Sequence, residues 1–546
     1  TLGIGYNNIL DYSFLPKLKQ LTSLFINFNN ISDLSPLSEL YIKDECNIRI
    51  HGNPISNPPK EIVEKGQKAI ARYFRELKEK EAQKLYESKL IIVGPGGAGK
   101  TTLFKKILDK NHPVPYPHQE STLGIEVHEG WEFPWKKDEE INYIANIWDF
   151  GGQPIQYMTH QFFLTARSLY ILVADERKGN TDYAYWFKII NVLGKSNDGI
   201  HSPVMVLINK KDGVKNTNFD LHLYQKNYPD LDIIPLEIDL ADQGVDYDLM
   251  IQKIQTLLSD LKHIGIDLPK SWTQVREELQ TLSEEKQHID FATYASVCEK
   301  YGVEDEDAQL DISRYLHDLG IILHFTDVND NLMNLIVLNP KWALDAVYAI
   351  LEDETVQGKQ GIFSKSQVEK IWKAKKYSIP ERGHLMQLLQ KDSFDICYKT
   401  TSGKFIAPQL LPSKAPQIVL AENIIQLQYE YPFMPHGIIT RIIVQLNQVI
   451  AKEDGKDLVW KKGVFLAENN CDASIKEREI VKDGKKVIAI KIKGEDILEK
   501  KIMLRKITDV IDAIHKKSFS QMIVNKLMPC NCEGCVSGKN DLYSTR

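Results

Sequence analysis

Short apolar runs recur through the middle of the chain, separated by amphipathic stretches. Runs that are almost continuously apolar are typical of strands buried on both faces, and the more polar runs here also have strand-like composition. The runs are Leu90–Val93, Ile125–Phe133, Ile141–Asp149, Ser168–Asp175, Val204–Asn209 and Ile233–Glu237. Because helical stretches alternate with them, residues 89–265 are predicted to form a doubly wound α/β sheet.

A different period governs the first 56 residues. The pattern Leu2-x-Ile4-x-x-Asn7-x-Ile9 recurs from Leu24 to Ile31 and again from Ile48 to Ile55. This spacing is typical of leucine-rich repeats, in which apolar positions fill a solenoid core and asparagine binds backbone at each turn. We expect the end of a longer array. It is either a protein-binding surface or only the capping piece of such a surface.

The secondary structure of the other segments is predicted in less detail. Pro58-Pro59 end the repeats, and residues 60–88 are predicted to form one charged amphipathic helix. Residues 266–412 are mostly helical, with a winged-helix-like stretch around Leu310–Phe325 whose His317 and His324 we interpret as ordinary structural residues. Alternating strands such as Val459–Ala467 and Val487–Ile492 follow, and then a helix from about Ile497.

The strongest motif is Gly94–Thr101, which reads G-x-x-x-x-G-K-T between a predicted strand and a predicted helix. This is the phosphate-binding P-loop, whose glycines let backbone N–H groups close on phosphate. Lys100 is expected to reach the β- and γ-phosphates, and the Thr101 hydroxyl to bind Mg²⁺. Gly94, Gly96 and Gly99 also match the dinucleotide fingerprint, but Lys100-Thr101 favours a nucleoside triphosphate.

Further motifs fall where a small GTPase needs them. Asp149 is expected to hold Mg²⁺ through water, Gly152 to approach the γ-phosphate and Gln153 to orient the attacking water. Thr122, before the second strand, would complete the Mg²⁺ ligands. Asp149-Phe150-Gly151 also spells the kinase D-F-G, but the other kinase motifs do not occur.

Base recognition is assigned to Asn209-Lys210-Lys211-Asp212. The Asp212 carboxylate can accept two hydrogen bonds from guanine that adenine cannot donate, so the site selects GTP. A degenerate fifth element lies at Asp239 and Leu240. The predicted nucleotide contacts are therefore Gly94, Gly96, Gly97, Ala98, Gly99, Lys100, Thr101, Thr102, Gly152, Asn209, Lys210, Asp212, Asp239 and Leu240. Catalysis is assigned to Gln153, Lys100 and Thr122, and metal binding to Thr101, Thr122 and Asp149.

Composition and charge limit the classes of binding partner and the cellular compartment that we expect. The net charge is −6 over 546 residues, which gives no indication of nucleic-acid binding, and no apolar run is long enough to span a membrane. Seven cysteines fit a reducing compartment, and with no signal peptide we expect a cytoplasmic fragment of a longer protein. Cys530, Cys532 and Cys535 supply three thiolates. A zinc site would need a fourth ligand such as His515, and the alternative is free thiols.

Five stretches carry a family resemblance. Trp148–Gln153 and Thr159–Tyr170 closely resemble the Roc GTPase domain of Roco proteins, and Leu268–Trp272, Leu338–Trp342 and Phe405–Pro412 look like their COR domain. Pro154 departs from the acidic residue that many relatives carry, and it stiffens the loop. The resemblance is to a Roco protein of prokaryotic type, with leucine-rich repeats and without a kinase domain.

The resemblance implies a multidomain α/β protein. It would contain a leucine-rich-repeat solenoid end (1–56), a linker helix (57–88), a small-GTPase-like Roc domain of the P-loop NTPase class (89–265), a helical, winged-helix-like COR-A (266–415), an α+β COR-B (416–528) and a cysteine-containing tail (529–546). It also implies a Mg²⁺-dependent GTPase with GTP as substrate and GDP as product. A homodimer through COR would respond to nucleotide, and the repeats would bind a protein ligand.

Two rival functions remain open. One is a nucleotide-binding scaffold that scarcely hydrolyses GTP, and the other is an ATPase of the STAND type, against which Asp212 argues. Arg167 and Arg177 are the candidates for an arginine that stabilises the transition state. The expected switch segments are residues 111–124 and 150–165, whose apolar side chains Met158, Phe162 and Phe163 would couple nucleotide state to COR.

Overall fold

The computed structural model describes residues 1–9, 12–18, 20–114, 124–152, 163–175, 181–195, 201–210, 219–326, 333–418, 420, 424–480, 485–519, 522–529 and 542–544. The chain forms two compact units. The first comprises residues 1–156 and 163–343, and the second comprises residues 157–162 and 344–546. Gln153, Thr122, Asp212, Arg177, Pro154, Met158, Phe162, Cys530, Cys532 and Cys535 lie outside the described residues.

A six-stranded sheet organises the first unit. Its strand order is Ile233–Ile238, Val204–Asn209, Ser168–Asp175, Glu87–Val93, Asp138–Phe150 and Ile125–Trp135. Neighbouring strands are parallel except for the last two, which form an antiparallel pair. The strands predicted from apolar runs are thus confirmed, with small differences at their ends. Helices Lys100–Leu108, Tyr183–Leu193 and Leu221–Asn227 lie in their connections, and helix Val245–Ser259 follows the last strand along the chain.

The N-terminal residues form three short parallel strands, Leu2–Gly3, Ser23–Phe25 and Asn47–Arg49. The side chain of Asn29 accepts hydrogen bonds from the backbone N–H groups of Asn7 and Ile9 at 3.0 and 3.1 Å. Asn53 accepts from Asn29 and Ile31 in the same way at 3.1 and 3.2 Å. Each asparagine therefore satisfies the backbone of the preceding turn, as expected for buried polar groups. The other elements here are Leu15–Lys17, Ser35–Leu37 and Ser38–Lys43.

The single helix predicted over residues 60–88 is wrong. The chain forms helix Lys60–Val63, turns at Gly66, and then forms helix Gln67–Glu79. Gly66 has φ 82°, a left-handed conformation that interrupts a helix. Strand Ala82–Lys84 follows and pairs antiparallel with Asp267–Pro269, and the strand before the P-loop already begins at Glu87.

The rest of the first unit is mainly helical. Helices Lys270–Glu285, Phe291–Lys300 and Glu306–Asp318 accompany a small sheet of His288–Asp290, Leu335–Val337 and Leu323–His324. Side chains of the N-terminal strand region, of helix Gln67–Glu79 and of these helices share one hydrophobic core. Trp272 joins it by packing edge-on against Tyr73 and Tyr315, with ring centroids 6.2 and 5.4 Å away. These segments are therefore one packed body, whereas the sheet has its own core.

Helix Pro340–Leu351 leads into the second unit. A seven-stranded sheet there has the order Val459–Trp460, Gly463–Glu468, Cys471–Glu479, Lys486–Lys493, Ile424–Tyr431, Asn525–Pro529 and Leu542–Ser544. The other elements are Glu354–Gly358, Ile362–Phe363, Lys365–Ala374, Ile379–Leu388, Tyr398–Lys399, Phe405–Ile406, Pro408–Leu410, Ile438–Gln445, Asn447–Val449, Lys452–Glu453, Lys456–Asp457 and Ile497–Ser518. The helix predicted from Ile497 is confirmed, whereas the strand predicted over Val459–Ala467 is two strands.

Candidate nucleotide site

The P-loop lies at the carboxyl edge of the sheet, between strand Glu87–Val93 and helix Lys100–Leu108. Gly94, Gly97 and Gly99 have φ values of 142°, 72° and 102°. A Cβ at Gly94 would lie 2.3 Å from the carbonyl oxygen of Val173 on the neighbouring strand. Glycine is therefore required here both for backbone conformation and for close approach to the sheet.

Lys100, Thr101 and Asp149 meet at this edge. Lys100 Nζ donates to the Pro95 carbonyl at 2.8 Å, and Thr101 Oγ1 donates to Asp149 Oδ2 at 2.6 Å. Asp149 is fully buried and pairs with Ile92 in the parallel register, which brings it beside the P-loop. A hydroxyl and a carboxylate oxygen are ligands that Mg²⁺ prefers, so these two residues fit a magnesium site.

Gly152 lies against the P-loop. A Cβ at Gly152 would lie 2.6 Å from both the Gly96 N–H nitrogen and Lys100 Nζ. The two loops thus approach backbone to backbone, and a side chain at this position would displace the lysine. The structure therefore brings Gly96, Lys100 and Gly152 together, as the sequence predicts.

The predicted base-binding residues are brought together in part. Leu240 N–H donates to Asn209 Oδ1 at 3.3 Å, and both side chains adjoin Gly99. The backbone N–H of Lys210 donates to Ile238 at 2.7 Å, and its side chain pairs with Glu237. Asp239 accepts from the Ala241 N–H at 2.8 Å, so its carboxylate serves its own turn. Ala98 and Thr102 are buried.

Arg167 is not available as a transition-state arginine. Its guanidinium makes a bidentate ion pair with Glu61 at 2.7 and 2.9 Å and contacts Asp318 at 3.2 Å. It also lies over the ring of Tyr315, 4.5 Å from the centroid. All of these partners are distant in the sequence, so the proximity of Arg167 to the Asp149 motif was misleading.

Several other buried charges, which the sequence analysis did not predict, lie at the amino edge of the sheet. Arg276 donates to both carboxylate oxygens of Glu87 at 2.8 Å, and Asn146 donates to Glu87 as well, also at 2.8 Å. Lys89 donates to the Phe163 carbonyl at 3.0 Å. Burial lowers the pKa of Lys89 to about 7. Only the polar interruption of an apolar strand at residues 87–89 hints at these contacts.

The histidines singled out in the sequence have structural partners. His324 bonds Ser313 and the Met333 carbonyl, each at 2.8 Å, and burial lowers its pKa to about 4. His317 accepts from the His324 N–H at 3.2 Å, and burial likewise lowers its pKa to about 4. His515 bonds Tyr431 at 3.0 Å. Among the described residues, no cluster suited to a metal ion occurs on His, Cys, Asp and Glu alone.

Comparison with known proteins identifies the domains. Residues 89–212 match the model "Ras of Complex, Roc, domain of DAPkinase", residues 269–411 match the C-terminal of Roc COR-A domain and residues 422–545 match the COR-B domain. A solved structure of Methanosarcina barkeri Roco2 RocCORdC bound to GDP is 33% identical, with a TM-score of 0.50. The match covers 98% of that chain and 61% of this one. The chain belongs to the Roco family.

Curated relatives are more distant. The probable serine/threonine-protein kinase pats1 of Dictyostelium discoideum is 26% identical over 92% of this Roco chain, and a Roc-COR-CHAT protease of Runella zeae is 28% identical over 72%. The chain spans only 16% and 43% of the length of these two relatives. In the described residues, no helix is both long and apolar enough to cross a bilayer.

Proposed function

We propose that this Roco chain is a Mg²⁺-dependent molecular switch that binds GTP and hydrolyses it to GDP and phosphate. The observation that carries the proposal is the contact between the Thr101 hydroxyl and the buried Asp149 carboxylate at 2.6 Å, beside Lys100 in a P-loop. A phosphate-binding loop and oxygen ligands for Mg²⁺ therefore lie together. The Roco2 structure was solved with GDP bound, which supports the same ligand class.

In this proposal, different residues of the chain bind the phosphates, the metal ion, the attacking water and the base. The P-loop N–H groups and Lys100 hold the phosphates, and Thr101 and Asp149 hold Mg²⁺, with Thr122 as a further ligand. Mg²⁺ would neutralise charge that develops on the phosphate oxygens. Gln153 would orient the attacking water, and Asp212 would select guanine, with Asn209 holding the base-binding loop against Gly99.

The deciding experiment is titration of purified chain with GDP and GTP, with and without Mg²⁺. Lys100→Ala should weaken binding by about 100-fold because it removes the charge that meets the phosphates. Lys105→Ala, one turn further along the same helix, is the matched control and should bind normally. Equal affinity of Lys100→Ala and the unmodified chain would contradict the proposal.

A separate variant, Thr101→Val, tests the proposed role of Thr101 in binding Mg²⁺. Thr101→Val keeps the shape of the side chain but removes the hydroxyl that contacts Asp149. We expect GTP binding to lose most of its dependence on Mg²⁺, and the unfolding temperature of the nucleotide-free chain to fall because the buried Asp149 carboxylate loses a hydrogen-bond donor. Full retention of the Mg²⁺ dependence would assign the metal to other ligands.

Base choice and hydrolysis are tested through residues outside the described part of the chain. Asp212→Asn should favour xanthosine over guanosine nucleotides, because the acceptor of two guanine hydrogen bonds becomes partly a donor. Gln153→Leu should slow single-turnover cleavage and leave GDP affinity nearly intact. If the unmodified chain releases no phosphate over several turnovers, the alternative of a nucleotide-binding scaffold takes precedence.

We also propose the domain limits given above, with residues 1–56 as the end of a leucine-rich-repeat array that binds a protein ligand. COR-B would form a homodimer whose stability depends on nucleotide. Light scattering at matched concentrations with GDP and with a non-hydrolysable GTP analogue tests the dimer. A monomer in both states would contradict it.

A further inference from the structure

Residues 163–165 are the described carboxyl-terminal end of the predicted second switch segment, 150–165, and together with residues 166 and 167 they lead directly into strand Ser168–Asp175. They are held from three sides. Lys89 of the P-loop strand donates to the Phe163 carbonyl at 3.0 Å. Thr165 Oγ1 donates to the Asp318 carbonyl at 2.8 Å, and Arg167 pairs with Glu61. This short segment therefore contacts the sheet, helix Lys60–Val63 (which we term the linker helix) and COR-A at once.

The ion pairs at this point form one buried group, which we term the junction: Lys60, Glu61, Arg167 and Asp318. Lys60 contacts Asp318 at 2.5 Å, and Arg167 joins both acids. The side chains of Glu61 and Arg167 are only 4% and 8% exposed. Two positive and two negative charges balance, so loss of any one would leave a net charge in the group.

The geometry of the junction fixes the orientation of Glu61 relative to Arg167. Both carboxylate oxygens of Glu61 are bound by Arg167, at 2.7 and 2.9 Å, and such a fork fixes orientation as well as distance. Glu61 belongs to helix Lys60–Val63, whose Ile62 is part of the core shared with the N-terminal strand region. A shift of residues 163–167 would therefore act on the linker helix through a rigid contact.

The backbone beside the junction is also tightly packed. Gly320 follows the COR-A helix with φ 74°, and a Cβ there would lie 2.3 Å from Lys89 Cε and 3.0 Å from Trp148 Cζ2. Trp148 immediately precedes Asp149, and Lys89 Nζ lies 4.7 Å over its ring. The Asp149 strand, Lys89 and COR-A thus have little room to move independently, because close-packed interiors transmit displacement.

We propose that Arg167 is a positioning residue that couples the nucleotide state of Roc to the linker helix and COR-A through the junction. The inference rests on the proposed function. Nucleotide affects the junction only if residues 163–167 sit differently in the GDP and GTP states. Linkage then requires that a change at Glu61, on the linker helix, alter the preference of Roc between GDP and GTP.

The chain offers a matched control. Arg276 on COR-A makes an equally buried fork with Glu87 at the amino edge of the same sheet, and no residue of 163–167 takes part in it. We therefore compare Arg167→Lys with Arg276→Lys, each of which keeps the charge and loses the fork. Glu61→Gln removes the partner of Arg167 from the linker side.

The measurement is the dissociation constant of the full chain for GDP and for a non-hydrolysable GTP analogue with Mg²⁺. Arg167→Lys and Glu61→Gln should change the ratio of the two constants at least fivefold, whereas Arg276→Lys should leave it within twofold. An unchanged ratio in the first two variants, or an equal change in Arg276→Lys, would overturn the coupling. If the unmodified chain binds neither nucleotide, the proposed function falls together with it.

Hydrogen exchange gives a second test, whose deciding comparison uses the unmodified chain alone. Amides of helix Lys60–Val63 should exchange at different rates with GDP and with the analogue. The difference should disappear in Glu61→Gln. Identical exchange of this helix in both nucleotide states would refute the coupling even if nucleotide binding is normal.

Discussion

At the carboxyl edge of the six-stranded sheet, glycine backbone and short side chains dominate, with Gly94, Gly152 and the Thr101–Asp149 contact in close approach. At the amino edge of the same sheet, charged side chains pair in buried forks, Glu87 with Arg276 and Arg167 with Glu61. The first edge presents N–H groups and oxygen atoms that suit a phosphate and a metal ion. The second edge pairs its polar groups with its own neighbours.

The two edges differ because one is suited to bind a ligand and the other is packed against neighbouring segments. A ligand site needs groups that stay close to the surface of a cleft, so it relies on backbone and small residues. An edge that packs against other segments needs each buried charge neutralised inside the protein. Outside the junction, substitutions should therefore affect nucleotide binding at the carboxyl edge and stability at the amino edge.

The largest expected effect is at the amino edge. Arg276→Met leaves Glu87 buried without its cation and should lower the free energy of unfolding by about 3–5 kcal/mol. Urea denaturation measures this loss, and GDP affinity of the folded fraction should stay close to normal. Lys300→Met, which removes an exposed pair with Glu278, is the control and should move the urea midpoint little. A similar shift in both variants would contradict the contrast.

The next effect is at the carboxyl edge. Gly94→Ala places a methyl group against the Val173 carbonyl in a left-handed conformation, which should cost about 1–3 kcal/mol and displace the P-loop. We expect GTP affinity to fall by at least tenfold in a titration. Gly130 also has a positive φ, of 80°, but a Cβ added there would have no atom within 4 Å. Gly130→Ala should therefore leave nucleotide binding intact. Normal GTP binding by Gly94→Ala would argue against a P-loop of this shape.

A third effect, which follows from a change of pH and not from a single substitution, is a dependence of stability on pH. His317 and His324 have pKa values lowered to about 4, and burial lowers that of His263 to about 3. Between pH 6.5 and 4 the unfolded chain binds protons that the folded chain does not. The free energy of unfolding should therefore fall on acidification, by about 1.4 kcal/mol per pH unit for each histidine.

His317→Gln isolates one of these groups, because glutamine keeps an acceptor for the His324 N–H but does not titrate. Urea unfolding at pH 7 and pH 5 should show a smaller pH dependence for this variant than for the unmodified chain. The same slope in both proteins would assign the acid sensitivity to other groups. GDP affinity should change little in this range, since the three histidines lie away from the P-loop residues.

Local sequence signals predicted the sheet well. Ser168–Asp175 and Val204–Asn209 have the predicted limits because strands covered on both faces must be apolar throughout. The strand Ala82–Lys84 gave no such signal, since all three residues are exposed and none is a strong strand former. It exists because it pairs with Asp267–Pro269, a contact between segments far apart in the chain.

Some features of the nucleotide site were likewise predictable from the sequence and others were not. The sequence by itself determined the P-loop, because glycine, lysine and threonine at fixed spacing act within one continuous turn. The motifs also predicted that Asp149 and Thr101 share one metal site, and the structure brings the two side chains into contact. Only the tertiary structure decided that Arg167 faces Glu61 and Asp318 instead of the nucleotide. Pairing between buried charges depends on which segments fold against each other. Charge and spacing along the chain do not carry that information.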